Sequence, residues 1–530
     1  MILVRDENAR LLRQVKTTLR FSWLAAVLLL VPLHAAMAAG AEAPTKSPLS
    51  QDPGAQARQF KQTGDLHTAD DELDKAADAY IKALDLSRSS FSSAERLLMA
   101  TRLSWADRLA RSESELRNIV ASEPGNLDAR LRLARVLSWR GELTDAIEQA
   151  DQVLRQSPEN REAQQIRADA LQWKGELRNA ITLYDELIKK QDDFDARLGL
   201  SYSFLYGGDR LAAAQTSRLL KPATTNEQDR FSKFQDIFDS LTRPKLDMRY
   251  LYFNDSDGVV LDRYSLQQNF WINNYDLAAG FRHTEARDNT GQARAEEFSL
   301  KAYTRPTVAS GIGGSLGFAN LGNGNSTNFL TGDFKLDARI TNLTLGASVT
   351  REVLTDSAEL IHNRIRAISA GLQTSWELTD RISLQPGYRY RSFSDVNHAH
   401  EASFTSQYLL LFNPKLAIGH RFRYENFHRQ SGSGYFDPSD YYSNRAFATY
   451  YIDREKYYFF ADIFAGHQNF RRNRVISKDP VYGGAASVGY RPIRNLIVEF
   501  YVEGGQLASA TSSGSGYSYL QLGPRLLIRF

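Results

Sequence analysis

The sequence predicts an α-solenoid of helical repeats followed by a transmembrane antiparallel β-barrel of about 16 strands. The first half shows helical periodicity and a segment that recurs after 34 residues. From about Lys245 onward the pattern changes to period-two alternation with dense aromatic residues. Between these segments, short links alternate with long links along the chain. We therefore expect a repeat domain over residues 58–243 and a barrel over residues 244–530.

Residues 1–38 have the pattern of a secretory signal peptide. A basic region precedes the apolar run FSWLAAVLLLVPL at residues 21–33, and AMA at residues 36–38 fits the small-residue cleavage rule. The alternative, a retained anchor helix, is disfavoured because an apolar core of about 13 residues is too short to span a bilayer. We expect cleavage after Ala38 and a disordered leader over residues 39–57.

Composition excludes several classes of protein. The 530 residues include no cysteine, which excludes disulfides, thiolate metal sites, cysteine nucleophiles and a cysteine-linked lipid anchor. The formal net charge of +3 gives no reason to expect a nucleic-acid partner. After the N-terminal segment, no run of 18 apolar residues follows, so the pattern predicts no membrane-spanning helix.

The repeat is visible in two matching segments. WRGELTDAI begins at Trp139 and WKGELRNAI begins at Trp173, with weaker copies at residues 74–86 and 206–214. The period of 34, the turn glycines Gly141 and Gly175 and small residues at helix crossings resemble the tetratricopeptide repeat. The resemblance implies stacked helix pairs with a concave face that binds protein segments.

A partner groove is expected on this concave face. Whether its residues bind a partner or are only solvated helix positions stays open for each residue. The candidates are Arg135, Glu162, Gln165, Asp169 and Tyr202.

The strand connections favour an outer-membrane barrel over a soluble sandwich. Tight turns are predicted at residues 273–274, 305–308, 341–342, 378–381, 412–415, 453–456 and 492–495. Longer links are predicted between them, among them residues 354–363, 393–398, 428–440, 468–479 and 506–516. Short turns at one rim and longer loops at the other are typical of outer-membrane barrels. An even strand count puts both barrel ends at the short-turn rim, which in such barrels faces the periplasm.

Alternation assigns each side chain to lipid or lumen. Lipid offers no hydrogen bonds, so outward side chains must be apolar, whereas inward ones can be polar. The charged side chains have two compatible roles open to them. They can line a transport path, and they can form a structural ion-pair lattice. The predicted lumen-lining residues are Arg389, Arg391, Arg421, Arg423, Glu425, Glu499, Tyr501, Glu503 and Arg525.

No catalytic constellation, cofactor motif or metal site is predicted. The pair His398 and His400 lies in a predicted surface loop, and Asn254–Gly258 is explained as ordinary turn chemistry. The glycine-rich stretch 311–317 lies within a strand pattern without a following helix, so it is not a phosphate-binding loop. We expect a protein that is not an enzyme.

The order of signal peptide, tetratricopeptide array and 16-strand barrel resembles the outer-membrane exporters of cellulose and poly-N-acetylglucosamine. Residues 482–505 also resemble the barrel end of phage-adsorption proteins linked to glycan secretion. The resemblance implies export of an exopolysaccharide made by an inner-membrane glycosyltransferase synthase, with repeats that bind periplasmic proteins or guide the polymer. The alternatives are a translocation or assembly factor for surface lipoproteins or other proteins, and a general porin or phage receptor.

The chain ends in PRLLIRF. Leu526, Ile528 and Phe530 are predicted to face lipid, whereas Arg525, Leu527 and Arg529 are predicted to face the lumen. A terminal phenylalanine on an amphipathic last strand resembles the signal read by the barrel-insertion machinery. We expect this strand to pair with the first one, near residues 246–253, because closure removes the sheet edges.

Overall fold

The computed structural model describes residues 52–322, 327–472, 474–508 and 516–530. The predicted signal peptide and residues 39–51 of the leader lie outside them. The described chain divides into two compact units, residues 52–140 and residues 141–530. The division falls inside the helical array, so its later helices group with the barrel.

Five α-helices form the first unit. They are α1 (Pro53–Ala69), α2 (Leu73–Ser87), α3 (Ser93–Trp105), α4 (Leu109–Ser122) and α5 (Leu127–Arg140). Tyr80 is fully buried among small residues such as Ala76 and Ala83. The expected leader is therefore too long, because residues 53–57 already belong to α1. Asp52 caps this helix by accepting a hydrogen bond from the Gly54 amide, and Pro53 occupies the first helical position, where its missing N–H costs nothing.

Six further helices open the second unit. They are α6 (Leu143–Gln156), α7 (Arg161–Lys174), α8 (Leu177–Lys190), α9 (Phe194–Gly207), α10 (Arg210–Ser217) and α11 (Thr225–Thr242). The turn glycines Gly141, Gly175 and Gly208 have φ of +81°, +81° and +83°. This left-handed conformation favours glycine and ends one helix of a pair before the next begins. None of the described helices is long and apolar enough to cross a bilayer.

The strands form a closed antiparallel barrel of 16 strands, as predicted. They are β1 (Lys245–Asp255), β2 (Val260–Ile272), β3 (Tyr275–Asp288), β4 (Gly291–Thr307), β5 (Ser310–Gly322), β6 (Thr327–Ile340), β7 (Leu343–Val353), β8 (Arg366–Glu377), β9 (Ile382–Phe393), β10 (His398–Leu411), β11 (Lys415–Phe427), β12 (Ser439–Asp453), β13 (Tyr457–Arg472), β14 (Val475–Ile493), β15 (Leu496–Gln506) and β16 (Ser518–Arg529). Each strand pairs with its sequence neighbours. β16 pairs with β1 in a register that sets Lys245 opposite Arg529, so the sheet has no free edge.

The two rims differ in the length of their connections. At the short-turn rim, which also receives α11, the links span two to four residues, for example residues 273–274 and 378–381. At the opposite, long-loop rim, three links have 11 or 12 residues, those after β7, β11 and β15, and the first contains the short helix α12 (Ala358–His362). Other links of this rim are short, and two expectations fail there. Residues 393–398 do not form a long link, because only four residues, 394–397, separate β9 from β10. Residues 468–479 do not form a long loop, because β13 continues to Arg472 and β14 begins at Val475.

Candidate functional site

The barrel wall has one apolar and one polar face. Large apolar side chains on the outer face are exposed, for example Leu316 at 70% and Leu372 at 64%. Side chains of the other parity, taken from β16 round to β6, line one cavity of about 560 Å³ at the short-turn end, which we call the mouth cavity. Because strands from so much of the wall contribute to one concave space, this polar face is the interior of the barrel.

All nine charged or phenolic residues predicted for the lumen lie on this polar face. On β9, β10 and β11, Arg423 contacts both Glu401 (3.5 Å) and Glu425 (2.7 Å). Arg391 also pairs with Glu425, whose exposed fraction is only 2%. Arg389 approaches Glu401 at 3.6 Å. These groups form a connected ion-pair lattice across three strands.

A second lattice covers the seam where the barrel closes. Arg525 of β16 pairs with Asp247 of β1 at 2.8 Å and with Glu499 of β15 at 3.2 Å. Glu503 accepts hydrogen bonds from Tyr519 and Gln521, each at 2.7 Å, and from Tyr501. Arg421 pairs with Asp462 at 2.6 Å elsewhere on the same face. Charged hydrogen bonds therefore tie the last strand to both of its neighbours.

Helix turns of the second unit rest on the short-turn rim. The Thr144 amide donates to Asp380 at 2.8 Å, and Arg381 pairs with Glu142, so the start of α6 contacts the β8–β9 turn. The ring of Phe412, in the β10–β11 turn, lies 3.0 Å from where a Cβ of Gly141 would stand. A side chain at this turn would therefore press on the rim as well as strain the backbone.

Helix turns farther along the array contact β-hairpins that come earlier in the barrel sequence. Arg339 at the β6–β7 turn donates to the Lys174 carbonyl at 2.8 Å. Arg305, near the β4–β5 turn, donates to the Tyr206 carbonyl at 2.9 Å. Asn274 in the β2–β3 turn donates to Asp209 at 3.1 Å. Successive repeats thus follow successive hairpins around the rim.

The helix α11 also lies on the short-turn rim. We call the helices α6 to α11 with their turns, residues 141–243, the helical collar. The side chain of Trp271 donates to the Thr242 carbonyl at its end. Asp236 and Asp239 pair with Arg494 in the β14–β15 turn. Arg210, Leu241 and Arg243 of the collar also line the mouth cavity. The helical surface and the barrel interior are therefore continuous at this end.

At the long-loop rim, α12 folds into the barrel. Its Ala358 and Ile361 are buried against inner-face residues of β2 to β5, among them Leu261 and Ala295. Arg263 of the inner face pairs with Asp356 at 3.1 Å just before the helix. The Glu359 amide donates to Asp288 at 2.8 Å. α12 is thus held inside the wall rather than above it.

The other long loops fold inward beside α12. Tyr435 of the β11–β12 loop stacks on the inner-face ring of Phe393, with centroids 4.6 Å apart, and also packs near Phe427. Leu360 belongs to the same buried cluster. Phe436 and Ala508 pack with the inner-face rings of Tyr441 and Phe470. The described parts of these loops, residues 354–365 with 428–438 and Ala508, form what we call the loop plug.

One carboxylate links two loops of this rim. Asp395 accepts hydrogen bonds from Ser433 (2.7 Å) and Tyr435 (2.9 Å). Burial opposes ionisation of Asp395, but these hydrogen bonds outweigh it and lower its pKa below the ordinary value of 3.8. Burial raises the pKa of Tyr435, which stays protonated as the donor. The contact therefore requires an ionised Asp395.

The residues predicted for a partner groove lie on three helices. Glu162, Gln165 and Asp169 lie on α7, where Gln165 and Tyr184 both donate to Asp169. Arg135 lies on α5 of the first unit. The ring of Tyr202 on α9 is half-buried and packs edge-on against Phe234 of α11, 4.9 Å away.

Several inner-face residues escaped sequence reasoning, above all Lys245, Trp271, Lys301 and Lys335 of the mouth cavity. Their strands alternate as clearly as those that were assigned, so the parity rule applied to β1, β2, β4 and β6 would have found them. Within the described ranges, no group of three histidine or acidic side chains is placed to hold a metal ion.

Comparisons with known proteins identify one family over part of the helical array. A family model for the tetratricopeptide repeat matches residues 106–170. A search of curated proteins found no match. A solved bacterial polysaccharide outer membrane secretin is similar over 55% of this chain and 99% of its own, with 13% identity and a TM-score of 0.45.

Solved repeat proteins are similar over about a third of the chain. A tetratricopeptide repeat protein from Parabacteroides merdae covers 35% of this chain and 78% of its own, with 13% identity and a TM-score of 0.30. YrrB, a tetratricopeptide protein with an unusual peptide-binding site, covers 34% and 86%, with 17% identity and a TM-score of 0.25. The family-model match and the strand topology together give a helical repeat region of tetratricopeptide type and a closed barrel of 16 strands.

Proposed function

We propose that the protein is an outer-membrane channel that exports a polysaccharide, with the helical collar at its periplasmic end. The observation that carries the proposal is the continuity of collar and lumen. Arg210 and Arg243 of the helices line the same mouth cavity as the inner-face residues of the barrel. An arriving chain would pass from the helices into the barrel without leaving the protein surface.

The outer membrane follows from the physics of the wall. The outer face carries exposed apolar side chains on strand after strand, a surface that lipid stabilises and water does not. A closed sheet of 16 strands satisfies its backbone hydrogen bonds internally and leaves room for an aqueous path. Because collar, mouth cavity and both chain ends of the barrel share the short-turn rim, we assign that rim to the periplasm.

The chemistry of the mouth cavity suits a sugar polymer. Trp271 and Tyr303 offer flat rings, while Gln267 and Asn269 offer amides that both donate and accept hydrogen bonds. Many weak contacts of this kind favour threading over tight binding at one site. The nine inner-face residues from Arg389 to Arg525 then line the path, and the loop plug closes the far end until the polymer displaces it.

The collar has a second task in this proposal. Its helices would hold the mouth in line with periplasmic proteins or with an inner-membrane synthase, and the α7 surface that carries Glu162 and Gln165 is the candidate contact. No step of the proposed mechanism is a chemical reaction. The synthase supplies the driving force, and this protein supplies the aqueous path through the membrane.

Deletion of the gene tests the proposal. The polymer made by the cell should then collect in the periplasm while the secreted amount falls at least about tenfold, and the intact gene on a plasmid should restore secretion. Secreted polymer at the wild-type level in the deletion strain would contradict the proposal. Loss of a surface lipoprotein with unchanged polymer would favour protein translocation instead.

A further inference from the structure

We propose that the mouth cavity selects an anionic, uronate-type polymer, an inference that rests on the proposed export function. Its lining carries six cationic groups against three carboxylates. The cations are Arg210, Arg243, Lys245, Lys301, Lys335 and Arg525. The carboxylates are Asp247, Asp276 and Asp333.

The carboxylates of the cavity are largely occupied. Asp247 pairs with both Arg249 and Arg525, at 2.7 Å and 2.8 Å. Asp276 pairs with Arg210 at 2.5 Å. Asp333 accepts a hydrogen bond from Ser315. Two of the three carboxylates are therefore neutralised by arginines, and Asp333 is the one that keeps its charge toward the cavity.

Three lysines remain without a carboxylate partner among the described residues. The ammonium group of Lys301 donates to the neutral side chain of Gln267 at 3.1 Å. That of Lys335 lies 5.0 Å from the ring centroid of Tyr303. Lys245 stands at the start of β1 and lines the same space. The ammonium groups of Lys301 and Lys335, which are held by neutral groups, keep their charge available for an incoming anion.

The positive excess of the mouth cavity sits beside a wall that pairs many of its charges. Farther along the inner wall several arginines are matched by acids, as in the pairs Arg282–Glu297 and Arg421–Asp462. Arg445 on the same wall lies instead over the ring of Phe464. At the mouth, lysines held by neutral groups favour negative chains at the point of capture, where opposite charge raises local concentration.

The arrangement also matches the dimensions of a sugar chain. The cavity of about 560 Å³ is large enough for a short run of sugar rings, and Trp271 lies on its wall among the amides of Gln267 and Asn269. The ring would stack on a sugar face while the lysines meet its carboxylates. We therefore assign carboxylated sugars, rather than neutral or amino sugars, as the preferred cargo.

The test is a competition assay on the full-length protein purified in detergent. A fluorescent galacturonate hexamer is bound, followed by anisotropy at about 0.1 M salt, and displaced by unlabelled galacturonate hexamer or by neutral cellohexaose. The anionic hexamer should displace the probe at a concentration at least about tenfold lower, and the preference should shrink at about 1 M salt because salt screens the charges.

Variants connect this preference to the cavity. The triple change Lys245→Gln, Lys301→Gln and Lys335→Gln should weaken probe binding at least about tenfold. The matched control Lys75→Gln, Lys189→Gln and Lys190→Gln removes the same charge elsewhere and should bind within about twofold of wild type. Equal displacement by both hexamers in the wild type, or an unaffected triple variant, overturns the inference.

The outcome separates this inference from the proposed function. If cellohexaose competes equally while deletion of the gene still traps polymer in the periplasm, export stands and the anionic cargo is wrong. If the deletion leaves secretion unchanged, export is wrong whatever the mouth cavity binds. The wild-type competition does not depend on whether the triple variant folds.

Discussion

The neighbours of a side chain in the barrel wall show whether it lies on the outer or the inner face. Phe500 is 51% exposed on the outer face, whereas the next residue, Tyr501, bonds to Glu503 and accepts from Gln521 on the inner face. One step along a strand changes the environment from lipid to water, because successive side chains point to opposite sides. The consequence of a substitution therefore depends on parity more than on residue type.

The first prediction uses this pair. Phe500→Arg should destabilise the folded barrel by about 2–4 kcal/mol, the cost of a cation near the bilayer midplane. Tyr501→Arg should assemble nearly as well as wild type, because the new cation meets Glu503 in a polar setting. Heat-modifiable migration on gels after refolding into vesicles measures the folded fraction. Equal assembly of the two variants would show that the inner and outer faces are assigned wrongly.

The second prediction concerns Asp395 and pH. Its folded-state pKa lies below the ordinary value of 3.8, so ionised Asp395 stabilises the loop pair fully above that value. The stabilisation is lost as pH falls below 3.8 and through the folded-state pKa. Hydrogen exchange of residues 428–438, corrected for the intrinsic rate, should therefore rise below about pH 4.

A variant isolates the carboxylate in this experiment. Asp395→Asn should exchange fast at every pH and lose the acid-induced rise. Glu455→Gln, in a turn at the opposite rim, should behave like wild type. A rise of the same size in Asp395→Asn would exclude this contact as the cause.

At the scale of elements, α12 lies inside the barrel wall at the long-loop rim. The helix has only five residues and would be marginal alone, so packing on the inner wall must stabilise it. Its buried Ile361 and the stacked ring of Tyr435 fill the long-loop end together. The loop plug is thus an element of the channel rather than a surface decoration.

The third prediction removes this element. Replacing residues 356–363 by glycine and serine should raise single-channel conductance in planar bilayers at least severalfold, because apolar packing no longer closes the path. Replacing residues 454–456, in the β12–β13 turn at the opposite rim, in the same way leaves the loop plug in place and serves as the control for loop engineering. If the conductance of both variants equals that of wild type, α12 is not part of the barrier.

The last strand gives the fourth prediction. β16 is bonded on both edges, and the amide of Phe530 donates to the Pro244 carbonyl at 3.0 Å while its ring is 60% exposed. Deleting Phe530 should impair insertion in cells but leave the free energy of in-vitro refolding within about 1 kcal/mol of wild type, since only an exposed ring and one terminal hydrogen bond are lost. Membrane fractionation measures insertion in cells. The conservative change Phe530→Tyr is the control and should insert.

At the scale of the whole molecule, the helical collar and the barrel are joined turn by turn. Two strands of a sheet span about 10 Å in all, a spacing that one helix pair can follow. Helix turns at Glu142, Lys174 and Tyr206 contact hairpins β8–β9, β6–β7 and β4–β5 in order. The collar is therefore fixed in orientation over the mouth by several small contacts.

The fifth prediction weakens one of them. Arg381→Ala removes the pair with Glu142 and should loosen the start of α6 by about 1.5–3 kcal/mol, the usual range for charged hydrogen bonds. Proteinase K should then cut residues 141–243 several times faster while the barrel stays intact. Arg454→Ala is the control, because within the described chain no hydrogen bond or ion pair joins that residue to a helix. Identical cleavage of the two variants would contradict a role for the contact.

The sequence by itself determined the architecture of this protein. A 34-residue period with turn glycines, and a switch to period-two alternation near Lys245, depend only on local geometry and on the need to separate apolar from polar faces. The same parity placed nine charged or phenolic residues on the inner wall. The closure of β16 on β1 followed from the cost of open sheet edges in lipid.

Only the tertiary structure decided which surfaces meet. Nothing local to α12 says that it folds inward, nothing local to Arg381 names Glu142 as its partner, and nothing local to Tyr202 names its contact with Phe234. The lysines of the mouth cavity lie on three strands, and only closure of the barrel brings them to one space. Such contacts join residues far apart in the chain, and their free energy comes from packing and charge in three dimensions, which periodicity does not record.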